Sequence, residues 1–158
     1  MVRILFVCLG NICRSPLAEA ICNQLIREEG LENEISCDSV GTGDWHVGEP
    51  PDPRTQEVAR RYQVPLDHRG QQFDAATVAS YQYIIAMDRQ NRADIESQLP
   101  SGSSASYSLF LLREFDDQEG EIDVPDPYWG GEEGFDHMYH LLRRCCINLL
   151  AHIKQQLR

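Results

Sequence analysis

The stretch VRILFVCLGNICRSP, residues 2–16, constrains the chain more than any other. Residues 3–8 (RILFVC) read as a buried strand. After Cys8 comes a short loop containing Gly10 and Asn11. Leu17, Ile21 and Leu25, with Ala18, Cys22 and Ile26, then keep a spacing of four, which predicts a helix over 15–29. Ser15 is a suitable N-cap, Pro16 suits the first helical position, and Gly30 is a plausible stop.

The same alternation recurs along the chain. Residues 35–40, 83–87 (YIIAM) and 107–112 (YSLFLL) read as further strands. Residues 54–62, a stretch starting near Asp88, and 135–156 read as helices. The last carries Met138, Leu142, Cys145, Leu149 and Ile153 as its core stripe. The Gly- and Pro-rich segments 41–53 and 116–134 are expected as loops. Strands separated by helices imply right-handed crossovers and a parallel sheet covered on both faces. Ligands of such sheets bind at the carboxyl ends of the strands, where Cys8 lies. With 158 residues and no internal repeat, residues 1–158 are expected to form one domain.

Bulk properties narrow the function classes. A formal charge of −11 argues against a nucleic-acid partner. No apolar stretch approaches a membrane span. The N-terminal apolar run breaks too early for a signal peptide, so a cytoplasmic location is expected. Cysteines 8, 13, 22, 37, 145 and 146 include no CxxC pair and no zinc-finger spacing, so neither a structural zinc nor a dense disulfide framework is expected. Cys145 and Cys146 are expected to pack in the last helix.

The loop at 8–15 is suited to a tetrahedral oxyanion. Backbone N–H groups can turn inward as a nest, and the helix N-terminus adds positive potential. The Gly-Lys-Ser/Thr ending of a nucleotide loop and the GxGxxG of a dinucleotide site are both missing. Arg14 supplies a planar fork for two phosphate oxygens. Cys8 sits among these donors, which favour the thiolate. Attack on phosphorus would give a thiophosphate. Asp126, fixed between Pro125 and Pro127 on a loop near the same end of the sheet, is the candidate acid for the leaving group.

Together these residues resemble the low-molecular-weight protein tyrosine phosphatases. The resemblance runs through VCLGNICRSP at 7–16, DSVGT at 38–42, GEPPDPR at 48–54, DHR at 67–69, MDRQN at 87–91, VPDPYWG at 124–130 and RRCC at 143–146. It implies a flavodoxin-like three-layer αβα sandwich with a four-stranded parallel sheet. It also implies metal-free, cofactor-free hydrolysis of phosphotyrosine and small aryl phosphates through a phosphocysteine. By position, Cys8 matches the nucleophile, Arg14 the phosphate clamp and Asp126 the general acid and base. Leu9, Gly10, Asn11, Ile12, Cys13, Arg14 and Ser15 match the phosphate-binding loop. Asn11, Ser15, Ser39 and His68 match the network supporting it, and Trp45, Tyr128 and Trp129 match the cleft walls. Cys13 matches a partner for reversible oxidation of Cys8. The expected partners are phosphotyrosine-containing proteins, with no membrane partner, and the chain is expected as a monomer or weak dimer. One departure is Trp129, where the family often has a second tyrosine that can be phosphorylated.

Two other functions fit parts of the pattern. An arsenate reductase shares the loop but needs relay cysteines, and residues 75–100 contain none. A phosphotyrosine-binding module would not need Cys8, Arg14 and Asp126 together. Asp88 is expected to cap the helix that follows it, and His46 and Asp44 to lie in a solvated loop.

Overall fold

The computed structural model describes residues 1–99 and 107–157. The domain expected over 1–158 includes 100–106 and 158, which lie outside the described residues. Four parallel strands form the sheet: β1 (Val2–Cys8), β2 (Ile35–Gly41), β3 (Tyr83–Ala86) and β4 (Ser108–Leu111). Their order is β2-β1-β3-β4. The helices are α1 (Arg14–Glu28), α2 (Pro53–Arg61), α3 (Arg89–Gln98) and α4 (Glu132–Gln156). Short 3-10 turns occupy Ala75–Ser80 and Leu112–Phe115.

Strand alternation sorts the core into two layers. Ile4, Phe6, Ile35, Cys37 and Ile85 pack with α1, α2 and α4. Leu5, Val7, Ile84 and Ala86 pack with Ile95 of α3 and with Val78 and Tyr81. Because both faces of β1 are covered from Ile4 onward, its sequence there is a continuous apolar run to Cys8. The stripe Met138, Leu142, Cys145, Leu149 and Ile153 is buried as expected, and so is Cys146. Gly30 follows α1 with φ +69°, a conformation glycine adopts without steric cost.

Chain order reverses between β1 and β3, so their carboxyl ends open a crevice. Cys8 ends β1 there, paired with Gly41 at the end of β2. A Cβ on Gly41 would lie 2.7 Å from the Leu9 carbonyl oxygen and 3.0 Å from the Asn11 nitrogen. Thr42 N–H and Gly43 N–H donate to the carbonyls of Cys8 and Leu9, at 2.9 Å each. The end of β2 thus fits against the start of the cysteine loop, backbone to backbone.

Most element bounds lie within a residue of expectation, and two helix starts differ in a way that matters. Ser15 is not the N-cap: α1 begins at Arg14, and the capping position falls on Cys13, whose side chain makes no capping bond. The Ser15 hydroxyl turns back toward Cys8 instead. Helix α4 starts at Glu132 rather than 135, because Glu132 and Glu133 in its first turn complement the helix dipole. Among the described residues no helix is long and apolar enough to cross a membrane.

Candidate active site

Asn11 sets the shape of the cysteine loop. Its φ of +58° is one that few non-glycine residues adopt, asparagine among them. The side chain is buried and fully engaged. Nδ2 donates to Ser15 Oγ at 2.8 Å and to Ser39 Oγ at 3.1 Å. Oδ1 accepts from His68 Nε2 at 2.7 Å and from the Gln71 N–H at 2.9 Å. The expected network of Asn11, Ser15, Ser39 and His68 is therefore assembled around one amide.

His68 must carry a hydrogen on Nε2 to bond an amide oxygen. Its Nδ1 lies 3.4 Å from Glu19 Oε1. One proton between those two atoms suits either partition: neutral imidazole with a carboxylic acid, or imidazolium with carboxylate. Burial pushes Glu19 up to about 7 and pushes His68 below its ordinary value. Glu19 thereby joins the loop support, a role that its sequence position does not advertise.

The sulfur of Cys8 has two polar neighbours. The Asn11 N–H lies 3.3 Å from Sγ and the Ser15 hydroxyl 2.9 Å. The Ser15 hydroxyl accepts from Asn11 and has one hydrogen to give, with the Cys8 sulfur at 2.9 Å and the Val40 carbonyl at 3.3 Å as its two acceptors in reach. Cys8 and Cys13 both line the cleft. Burial pushes the Cys13 thiol up to about 12, so it stays protonated.

Arg14 is 2% exposed. Its Nη1 donates to Asp88 Oδ2 at 2.7 Å and to the Val124 carbonyl at 2.9 Å. Nη2 lies 3.7 Å from Asp126 Oδ2. Burial alone would lower the guanidinium pKa, but the charges of Cys8, Asp88 and Asp126 raise it, so the cation is secure. Asp88 does cap α3, accepting the Asn91 N–H at 2.7 Å through Oδ1. With its other oxygen it fixes Arg14, a second role that the sequence reading missed.

Asp126 reaches this centre from the far side. The Val124 N–H donates to the Met87 carbonyl at 2.8 Å, which fastens the acid loop to the end of β3. Oδ1 of Asp126 then accepts the Tyr128 N–H at 3.0 Å. Cys8, Arg14, Asp126, Trp45, Tyr128 and Trp129 line one cleft of about 330 Å³. Trp45 is 66% exposed and Trp129 89%. The rim is aromatic and open, while the base carries the thiol and the guanidinium. His46 also lines the cleft and lies 2.6 Å from Glu49, so it is less idle than a solvated loop residue.

Comparison with known proteins gives the family. The family model for low molecular weight phosphotyrosine protein phosphatase matches residues 3–158. A putative low molecular weight protein-tyrosine-phosphatase of Synechocystis is 41% identical, covering 98% of each chain. The crystal structure of YfkJ from Bacillus subtilis superposes with a TM-score of 0.92 at 38% identity, covering 100% of this chain and 98% of that one. A Drosophila arginine phosphatase superposes with a TM-score of 0.89 at 32% identity, covering 96% and 97%. From the family match, these likenesses and the flavodoxin-like sheet, the chain belongs to the low molecular weight phosphotyrosine protein phosphatases, a family of enzymes.

Proposed function

We propose that the protein hydrolyses phosphotyrosine in proteins, and small aryl phosphates, through a phosphocysteine on Cys8. The observation that carries this reading is the convergence of Cys8, Arg14 and Asp126 on one aromatic-walled cleft. Both hydrogens of Arg14 Nη1 are taken by Asp88 and Val124. Nε and Nη2 are left to hold two phosphate oxygens, and the amides of residues 9–15 hold the rest.

In the first step the Cys8 thiolate attacks phosphorus. The S–P bond forms, the P–O bond to tyrosine breaks, and Asp126 gives its proton to the departing oxygen. In the second step water attacks the phosphocysteine and Asp126 takes the water proton. The S–P bond breaks, and Ser15 stabilises the returning thiolate. The Trp45, Tyr128 and Trp129 walls favour an aromatic ester. Cys13 stands as the partner for a reversible Cys8–Cys13 disulfide under mild peroxide. We read residues 1–158 as one catalytic domain working in the cytoplasm on phosphotyrosine-bearing proteins. The charge of −11 favours substrates with neutral or basic flanks.

The test measures phosphate release from phosphotyrosyl, phosphoseryl and phosphoarginyl peptides with a chelator present. Phosphotyrosine should be consumed fastest, and Cys8→Ser should retain less than about 1 part in 10⁴ of that rate. Preference for phosphoarginine, or full activity in Cys8→Ser, overturns the reading.

A further inference from the structure

Arg54, on the first turn of α2, is absent from the catalytic account, yet its guanidinium bridges three parts of the molecule. Nε and Nη2 grip the two oxygens of Asp52, each at 3.1 Å. Nη2 also donates to the Tyr128 carbonyl at 2.9 Å, and Nη1 donates to the Gly130 carbonyl at 3.0 Å. Its flat face lies over the Phe135 ring, 4.5 Å from the centroid, and near the Tyr128 ring at 5.5 Å. Four of the five guanidinium N–H donors therefore have partners in one plane while the face is stacked.

The bonds at either end give this bridge its direction. Asp52 donates its backbone N–H to the Ile12 carbonyl at 2.9 Å, inside the cysteine loop. Tyr128, whose carbonyl Arg54 holds, gives its own N–H to the Asp126 carboxylate. A continuous path thus runs from the cysteine loop through Asp52, Arg54 and Tyr128 to Asp126. Among the described residues, the carbonyls of both Tyr128 and Gly130 are held by this one side chain, in a segment otherwise open to solvent.

We infer that Arg54, braced by Asp52, is a positioning residue that sets the general acid in register with the nucleophile loop. It touches neither substrate nor the reacting atoms. The inference rests on the proposed role of Asp126 and asks how that carboxyl is kept in reach. A lysine offers one point charge and cannot grip a carboxylate and two carbonyls in a plane. Arg54→Lys should therefore fail nearly as badly as Arg54→Ala.

The experiment compares wild type, Arg54→Ala, Arg54→Lys, Asp126→Ala and the double variant Arg54→Ala/Asp126→Ala on a series of aryl phosphates. The leaving phenols run from strongly to weakly acidic, because an acidic phenol departs without a proton donor. For phosphotyrosine, both Arg54 variants should lose about 10- to 100-fold in kcat/KM. The loss should shrink toward none for the most acidic phenol. In the Asp126→Ala background, removal of Arg54 should cost almost nothing more. Competitive inhibition by inorganic phosphate, which reads the cysteine loop, should be unchanged.

An Arg54→Ala loss that is equal for every leaving group, or that adds in full to the loss of Asp126→Ala, overturns the inference. So does wild-type activity in both Arg54 variants while Asp126→Ala is slow. If Asp126→Ala itself shows no leaving-group dependence, the general-acid assignment falls instead, and the two failures are told apart.

Discussion

The cysteine loop and the acid loop face each other across one cleft but are built in opposite ways. In the first, every polar atom of the Asn11 side chain has a buried partner, and the strand beside it approaches too closely for a side chain. In the second, the carboxylate accepts from a residue two positions on, one arginine holds the carbonyls, and Trp129 stands almost wholly in solvent. On the mechanism proposed above, the difference follows from what each loop would have to do. A nest of amides works only if its donors are fixed before the anion arrives. The proposed proton donor would have to reach leaving groups whose position varies with the substrate, and an exposed arm steadied through one bridging side chain allows that.

The sharpest way to break this contrast is at Asn11. Replacement by alanine strands the Gln71 N–H and His68 Nε2 and places a methyl side chain at positive φ. Asn11→Ala should cost about 2–4 kcal/mol in denaturant unfolding and slow all substrates alike. A cost under about 1 kcal/mol would mean that the cysteine loop is held no better than its neighbour.

A smaller effect is expected on the open side. Trp129→Ala should leave unfolding unchanged within about 0.5 kcal/mol. It should raise KM for phosphotyrosyl peptides by about 3- to 10-fold while kcat is kept, because a wall that binds ester and transition state equally changes only affinity. A large loss of stability would show that the acid loop leans on this ring.

The mildest test lies behind the cysteine loop. The Glu19 carboxyl, at about 7, holds its proton more tightly in the folded chain than the roughly 4.3 of a free glutamate. Its contribution is therefore complete below the unfolded value and is lost as pH climbs through 7. Glu19→Gln has no such loss and can still donate to His68. Wild-type stability should fall relative to Glu19→Gln from roughly pH 4.3 to about pH 7 and level off above, read as the difference in denaturant midpoints. A difference that stays flat would place the carboxyl outside the proton-sharing pair.

What could be read from the residues divides along the same line. The strand of residues 3–8 and the helix behind it are local patterns, and each stands within a residue of where the pattern put it. Two prolines single out Asp126 in the sequence, and the structure places it on the cleft 3.7 Å from Arg14. The contacts that hold these groups were not. Asp88 meets Arg14 from 74 positions away, and Arg54 meets Tyr128 from the same separation. No pattern within a helix or strand encodes such a meeting. Ser15 shows the converse error: its type suits a cap, but the nearby sulfur and Asn11 claim its hydroxyl.

The bare backbone at Gly41 has a consequence for moving this chemistry elsewhere. The segment from Cys8 to Ser15 cannot be lifted out as a cassette, since half of its mould belongs to the neighbouring strand. A host scaffold would have to offer a second strand ending at the same level, with hydrogen where every other amino acid has carbon. A single methyl group there, on a residue with no chemistry of its own, would press on the Leu9 carbonyl and the Asn11 nitrogen. An inventory of reactive side chains would miss a position whose contribution is to be empty.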